Sequence, residues 1–140
     1  MPAIHHLNFV VPDLDAAARQ FELVLGVAPG PVEYLSGRQV SLRRFELDGT
    51  WLVLVCPTTD DSPAAEWLQA HGPGLFLVSF EAGSLRDRLA ALAEDGIAQH
   101  GPTRRGLDDW QVADLDPAAF FGIPVQLTQT TGNKNAGDKT

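Results

Sequence analysis

Residues 4–14 of the chain read IHHLNFVVPDL, a short apolar run that stops at a proline. A bounded run of this length predicts a buried strand that ends before Pro12. Asp13 then precedes a segment from Leu14 to Leu25 with apolar residues at helical spacing, and Gly26 follows it. An aspartate at the start and a glycine at the end are typical of a capped helix.

The chain downstream of this helix predicts a hairpin. Two extended runs, residues 39–47 and 51–55, flank the dipeptide Asp48-Gly49, which suits a tight turn. Another short strand is expected near residues 32–35. The first half of the chain therefore predicts the order β-α-β-β, with this possible additional strand.

The second half repeats that order. An apolar run at residues 75–80 is followed by a helical stripe from 85 to 92, a strand around 110–113 and a last strand at 123–127. Two such halves could pair about a pseudo-twofold axis around a shared cleft. They could also form two separate sheets or a ferredoxin-like sandwich, and periodicity alone does not distinguish these arrangements.

Composition limits the class of protein. With 140 residues, 44% apolar residues and 20% charged residues, the chain is expected to form one domain over residues 1–130, with a disordered tail at 131–140. A net charge of −8 opposes binding to nucleic acid and anionic lipid. Cys56 is the only cysteine, and no run is apolar enough to span a membrane, so a cytoplasmic protein is expected.

Residues 4–14 resemble the opening strand and helix cap of the vicinal-oxygen-chelate superfamily, and look most like those of methylmalonyl-CoA epimerases. The resemblance covers about residues 4–128 and continues through the strings ELDGT, DSP and HGPG. It implies an α+β fold in which two paired βαβββ modules, about residues 4–58 and 72–129, form a curved mixed sheet around a cleft. It also implies a homodimer.

The resemblance assigns four metal-ligand positions, which fall on His6, Val53, Leu77 and Gln126. Valine and leucine have no lone pair to donate, and His6 with Gln126 alone is too small a ligand set for zinc, cobalt or iron. We therefore expect no metal and no other cofactor. The family's catalytic carboxylate falls on Gly37, with Glu33 as the alternative, so the expected acid or base is His6.

Strand alternation predicts which other side chains share the cleft with His6. Arg43 is included if its strand turns that side chain inward. The predicted substrate-binding residues are Asn8, Arg43, Trp51, Ser79, Trp110 and Gln126.

Two functions follow from this set of residues. The first is a metal-independent isomerase, epimerase or lyase acting on a small oxygen-rich acid or thioester. The alternative is a non-catalytic small-molecule binding protein similar to the bleomycin-resistance proteins. Both predict a small-molecule ligand and a homodimer.

Overall fold

The computed structural model describes residues 2–130, and the tail predicted for residues 131–140 lies outside the described residues. Within this range the chain forms eight strands, three α-helices and three short 3-10 helices. It divides into two compact units. The first unit is His6–Phe76, and the second comprises the residues up to His5 together with those from Leu77 onward.

Four strands of the first unit form a mixed sheet in the order β2-β3-β4-β1. β1 pairs with β4 in parallel, whereas β2, β3 and β4 pair antiparallel. These strands are β1 (Ile4–Val10), β2 (Glu33–Leu35), β3 (Val40–Glu46) and β4 (Trp51–Pro57).

Helix α1 (Leu14–Leu25) covers one side of this sheet. Asp13 caps it by accepting a hydrogen bond from the Ala16 backbone N–H, and Gly26 ends it at φ 73°. Its apolar residues pack on the side of the sheet that carries Phe45 and Leu54, both fully buried. A second helix, α2 (Pro63–His71), begins after Ser62, whose hydroxyl caps the Ala65 N–H.

The second unit repeats this architecture. Its strands run in the order β5-β8-β7-β6, with β5 parallel to β8 and the others antiparallel. Helix α3 (Leu85–Glu94) packs on one side through Leu85, Leu89 and Leu92. The strands are β5 (Gly74–Glu81), β6 (Arg104–Arg105), β7 (Gln111–Asp114) and β8 (Val125–Gln129).

The expected α+β class and the repeated βαβββ order are thus confirmed. The helix at 14–25 has the predicted bounds. The ends of the predicted strands differ from those in the structure by only a few residues. β6 was not predicted, because a two-residue strand of arginines carries no apolar pattern. No helix among residues 2–130 is long and apolar enough to cross a membrane.

Candidate functional site

The first unit gathers polar side chains on the side of its sheet that faces away from α1, which we call the first face. Strand register places His6 beside Trp51 and Asn8 beside Val53. His6 is 4% exposed, and the Oδ1 atom of the half-buried Asn8 has no hydrogen-bond partner among the described residues. Three predicted site residues, His6, Asn8 and Trp51, therefore share this face.

Arg44 is a further charged residue of the first face. Its guanidinium carbon lies 4.4 Å from the centre of the Trp51 ring, a cation–π contact. Its Nε donates to one carboxylate oxygen of Glu33 at 2.9 Å, and its Nη2 donates to the other at 3.4 Å. With its side chain only 11% exposed, Arg44 is held between a carboxylate and an indole.

The structure places Arg43 on the opposite side of the sheet. Arg43 pairs in register with Leu54, which packs in the α1 core, and its Nε donates to the Gly30 carbonyl at 2.9 Å. Arg43 was predicted to bind substrate only if its side chain lay on the same side as His6, and it does not. Arg44, which pairs with Val53, takes that place.

This difference could have been found from the sequence. The hairpin closes through Leu47, whose N–H donates to the Thr50 carbonyl at 2.8 Å around Asp48-Gly49. A two-residue turn fixes the register of both strands, because each residue is paired by counting outward from the turn. Counting from 47 and 50 pairs Arg44 with Val53 and leaves Arg43 on the other side.

The second unit carries a hydrogen-bonded chain on the side of its sheet that faces away from α3, which we call the second face. Gln126 pairs in register with Asp114, and its Nε2 donates to the Asp114 Oδ1 at 3.0 Å. Arg104 donates to the same carboxylate, Nη1 to Oδ2 at 2.5 Å and Nη2 to Oδ1 at 3.4 Å. Gln126 is 2% exposed.

Ser79 also belongs to the second face, because it pairs in register with Gln126. It is fully buried, and its hydroxyl oxygen lies 2.5 Å from that of Thr128. Two of the predicted site residues, Ser79 and Gln126, are therefore neighbours. Asp114 was not predicted here, since the long connection between β7 and β8 gives no turn from which its register can be counted. Arg104 was not predicted, because the two-residue strand β6 carries no apolar pattern.

Trp110, which was predicted to bind substrate, lies directly before β7 and is buried. It is 6% exposed, and its ring meets the ring of His5 edge-on, with 4.4 Å between centroids and an interplanar angle of 86°. His5 is also buried, and its Nε2 lies 4.0 Å from a carboxylate oxygen of Glu81. Burial lowers the pKa of His5, and the charge of Glu81 opposes that shift only partly. This packing favours a structural role for Trp110.

Comparison with known proteins identifies the family. Residues 5–113 match the family model of the Glyoxalase/Bleomycin resistance protein/Dioxygenase superfamily. The uncharacterized protein YqjC of Bacillus subtilis is 27% identical over 137 residues, 96% of this chain and 97% of the relative. The ethylmalonyl-CoA/methylmalonyl-CoA epimerase of Cereibacter sphaeroides is 29% identical over 130 residues, 90% of this chain and 96% of the relative.

A solved structure has the same fold as this chain. The methylmalonyl-CoA epimerase of Streptomyces coelicolor in complex with 2-nitronate-propionyl-CoA superposes with a TM-score of 0.85. The match covers 92% of this chain and 94% of the epimerase at 22% identity, which shows a shared fold. The chain belongs to the Glyoxalase/Bleomycin resistance protein/Dioxygenase superfamily and has the vicinal-oxygen-chelate fold.

Proposed function

We propose that the protein is a metal-independent epimerase or isomerase that moves a proton on a small carboxylic acid or its coenzyme A thioester. The observation that carries this proposal is the position of His6, a buried imidazole on the first face beside Asn8 and Trp51. Two similar proteins support a thioester as the substrate class. One is the epimerase of Cereibacter sphaeroides, and the other is the epimerase of Streptomyces coelicolor, whose complex contains 2-nitronate-propionyl-CoA.

The donor set does not fit the divalent ion that the resemblance implies. Two of the four assigned positions hold Val53 and Leu77, both buried hydrocarbons without a lone pair. Gln126, at a third position, offers only one neutral amide oxygen, so His6 and Gln126 supply two donor atoms where three or four are usual. Among residues 2–130, no group of three or more His, Cys, Asp or Glu residues could hold a metal. The reaction that we propose therefore uses only the side chains of the protein.

His6 is the proposed acid or base because the other candidates are poorly suited. Gly37 has no side chain, and both carboxylate oxygens of Glu33 accept hydrogen bonds from Arg44. In the proposed reaction, His6 takes the proton from the carbon next to the substrate carbonyl, and the electron pair of the broken C–H bond moves onto the carbonyl oxygen. The electron pair then returns to that carbon, which takes a proton from solvent on the opposite face. The imidazolium of His6 releases its proton to solvent, which completes the epimerisation.

Asn8, Ser79 and Gln126 are the proposed orienting groups. We add Arg44 in place of Arg43, because its guanidinium lies on the first face and its position is fixed by Glu33 and Trp51. The acidic net charge of −8 supports a small-molecule partner over nucleic acid or lipid. We further propose a homodimer located in the cytoplasm.

Proton exchange tests the proposal directly. Methylmalonyl-CoA is incubated with the protein in D₂O with EDTA, and deuterium at the carbon between the two carbonyls is followed by mass spectrometry against the spontaneous rate. We expect the native protein to accelerate exchange, and His6→Gln to lower the rate by about a hundredfold or more, the usual contribution of a general base. His100→Gln, an exposed histidine, is the matched control and keeps the native rate.

A binding protein is the second candidate, and the apolar Val53 beside Asn8 and the stacked Arg44–Trp51 pair favour it. Under that hypothesis an acyl-CoA binds, but neither the native protein nor any variant exchanges deuterium above the spontaneous rate. Acceleration that EDTA abolishes would show that a metal carries the reaction, and the metal-independent mechanism would be wrong.

A further inference from the structure

The side-chain oxygen of Gln126 is the feature of the second face that the structure leaves unexplained. Gln126 is 2% exposed, and its Oε1 atom is buried without a hydrogen-bond partner among residues 2–130. Buried amide oxygens are nearly always paired, because leaving one unpaired loses the hydrogen bond it had with water. An unpaired oxygen at this position therefore indicates a missing partner.

The orientation of the amide follows from its neighbour. An ionised carboxylate only accepts hydrogen bonds, so the group that Gln126 turns toward Asp114 must be its NH₂. The oxygen consequently points away from Asp114. Gln126 thus presents an acceptor, and a ligand atom that meets it must be a donor.

Arg104 holds this arrangement in place. Its two terminal nitrogens donate to the two oxygens of Asp114, a fork that fixes the carboxylate plane. The carboxylate in turn fixes the Gln126 amide across the β7–β8 pairing. Neither Arg104 nor Asp114 needs to touch the ligand to decide which atom of Gln126 faces it.

We infer that Gln126 accepts a hydrogen bond from a hydroxyl or amide N–H of the ligand, with Asp114 and Arg104 as positioning residues. This inference rests on the proposed function and narrows its substrate class. At this point of the site a thioester with a hydroxyl or amide N–H binds more tightly than one with a second carbonyl or carboxylate oxygen, such as methylmalonyl-CoA. Such an oxygen would face Oε1 as one acceptor against another.

Two thioesters that differ in one group provide the test. 3-Hydroxybutyryl-CoA has a hydroxyl where acetoacetyl-CoA has a carbonyl, and both are titrated into the full-length native protein by isothermal titration calorimetry. We expect the hydroxyl compound to bind about tenfold more tightly, the contribution of one satisfied hydrogen bond. In Gln126→Met, which keeps the length of the side chain and loses the acceptor, the two dissociation constants become equal.

The positioning role has its own measurement. Asp114→Asn offers Gln126 either an oxygen or an NH₂ group, so the amide is free to turn and the tenfold preference shrinks. Asp114→Glu restores a carboxylate and recovers part of the preference. A purely structural role would weaken both thioesters equally and leave their ratio unchanged. Gln111→Met, the same substitution on β7, is the control and keeps the native ratio.

The outcomes separate this inference from the proposed function. Equal binding of both thioesters to the native protein overturns the inference, because Oε1 then serves a water molecule, and it leaves the proton-exchange proposal standing. If neither thioester binds, the inference fails, and the deuterium exchange of methylmalonyl-CoA alone decides the proposed function. A preference that survives in Gln126→Met also overturns the inference, since another group must then recognise the hydroxyl.

Discussion

At the scale of single residues, the two adjacent histidines of β1 have different surroundings. His6 lies beside Trp51 on the first face, whereas His5 packs edge-on against Trp110 in the second unit. Burial lowers the pKa of His5, so the neutral ring is favoured in the folded protein. This difference makes His5 a determinant of stability against pH rather than a group suited to binding a ligand.

The lowered pKa of His5 predicts a loss of stability in acid. Below its ordinary pKa of 6.5 the unfolded chain binds a proton that the folded chain resists, so the free energy of unfolding falls as the pH drops from 7. The fall levels off below the folded pKa. The measurement is urea unfolding of the native protein and of His5→Gln between pH 7.5 and 5. The native protein loses stability as the pH falls and His5→Gln does not lose this contribution, so the difference in their free energies of unfolding narrows. The change is at most about 1.4 kcal/mol per pH unit.

His100→Gln, at an exposed histidine outside the His5–Trp110 contact, controls for the loss of one surface histidine. A His5→Gln curve parallel to the native one across the whole range would contradict the prediction.

At the scale of elements, helix α1 is positioned by its two ends. Asp13 fixes the start, and Gly26 ends the last turn in the left-handed region, where its N–H donates to the Glu22 carbonyl. An added Cβ at Gly26 would meet no atom within 4 Å, so a side chain there has space. The requirement for glycine at this position is conformational.

Separate alanine substitutions at Gly26 and Gly37 distinguish the effect of a positive φ from the effect of steric crowding. Gly26→Ala should lower the free energy of unfolding by about 1 kcal/mol, because alanine is disfavoured at φ 73°. Gly37→Ala, in the 3-10 helix before β3, has equal space and no positive φ, and is expected to be neutral or slightly stabilising. Urea unfolding followed by tryptophan fluorescence measures both, and equal losses would show that the backbone of Gly26 is not the cause.

At the scale of the whole molecule, the repeat is preserved in structure while its charges are exchanged. In the first unit an acidic residue of the edge strand, Glu33, binds Arg44, which is opposite Val53. In the second unit a basic residue of the edge strand, Arg104, binds Asp114, which is opposite Gln126. Equivalent positions thus hold ion pairs of reversed polarity, so the repeat preserves the position of the ion pair and reverses the sign of each partner.

Native mass spectrometry of the untagged protein tests the proposed assembly and metal independence together. Spectra are recorded before and after addition of zinc, cobalt and nickel salts. We expect a dimer without a tightly bound ion, because Val53 and Leu77 supply no ligand atom. One retained ion per chain would contradict the assignment of the four positions, and a monomer at micromolar concentration would contradict the dimer.

The amino-acid sequence by itself determined the order of elements apart from β6, the bounds of α1 and the family resemblance, because apolar periodicity and the residues at helix ends are local properties. The turn at Asp48-Gly49 also fixes the register of β3 and β4, and that register places Arg44 on the first face. Only the tertiary structure revealed the hydrogen bonds that join Arg104, Asp114 and Gln126, and the ring contact between His5 and Trp110. Those contacts join residues on different strands or in distant segments, and their register depends on packing that no local pattern of residues records.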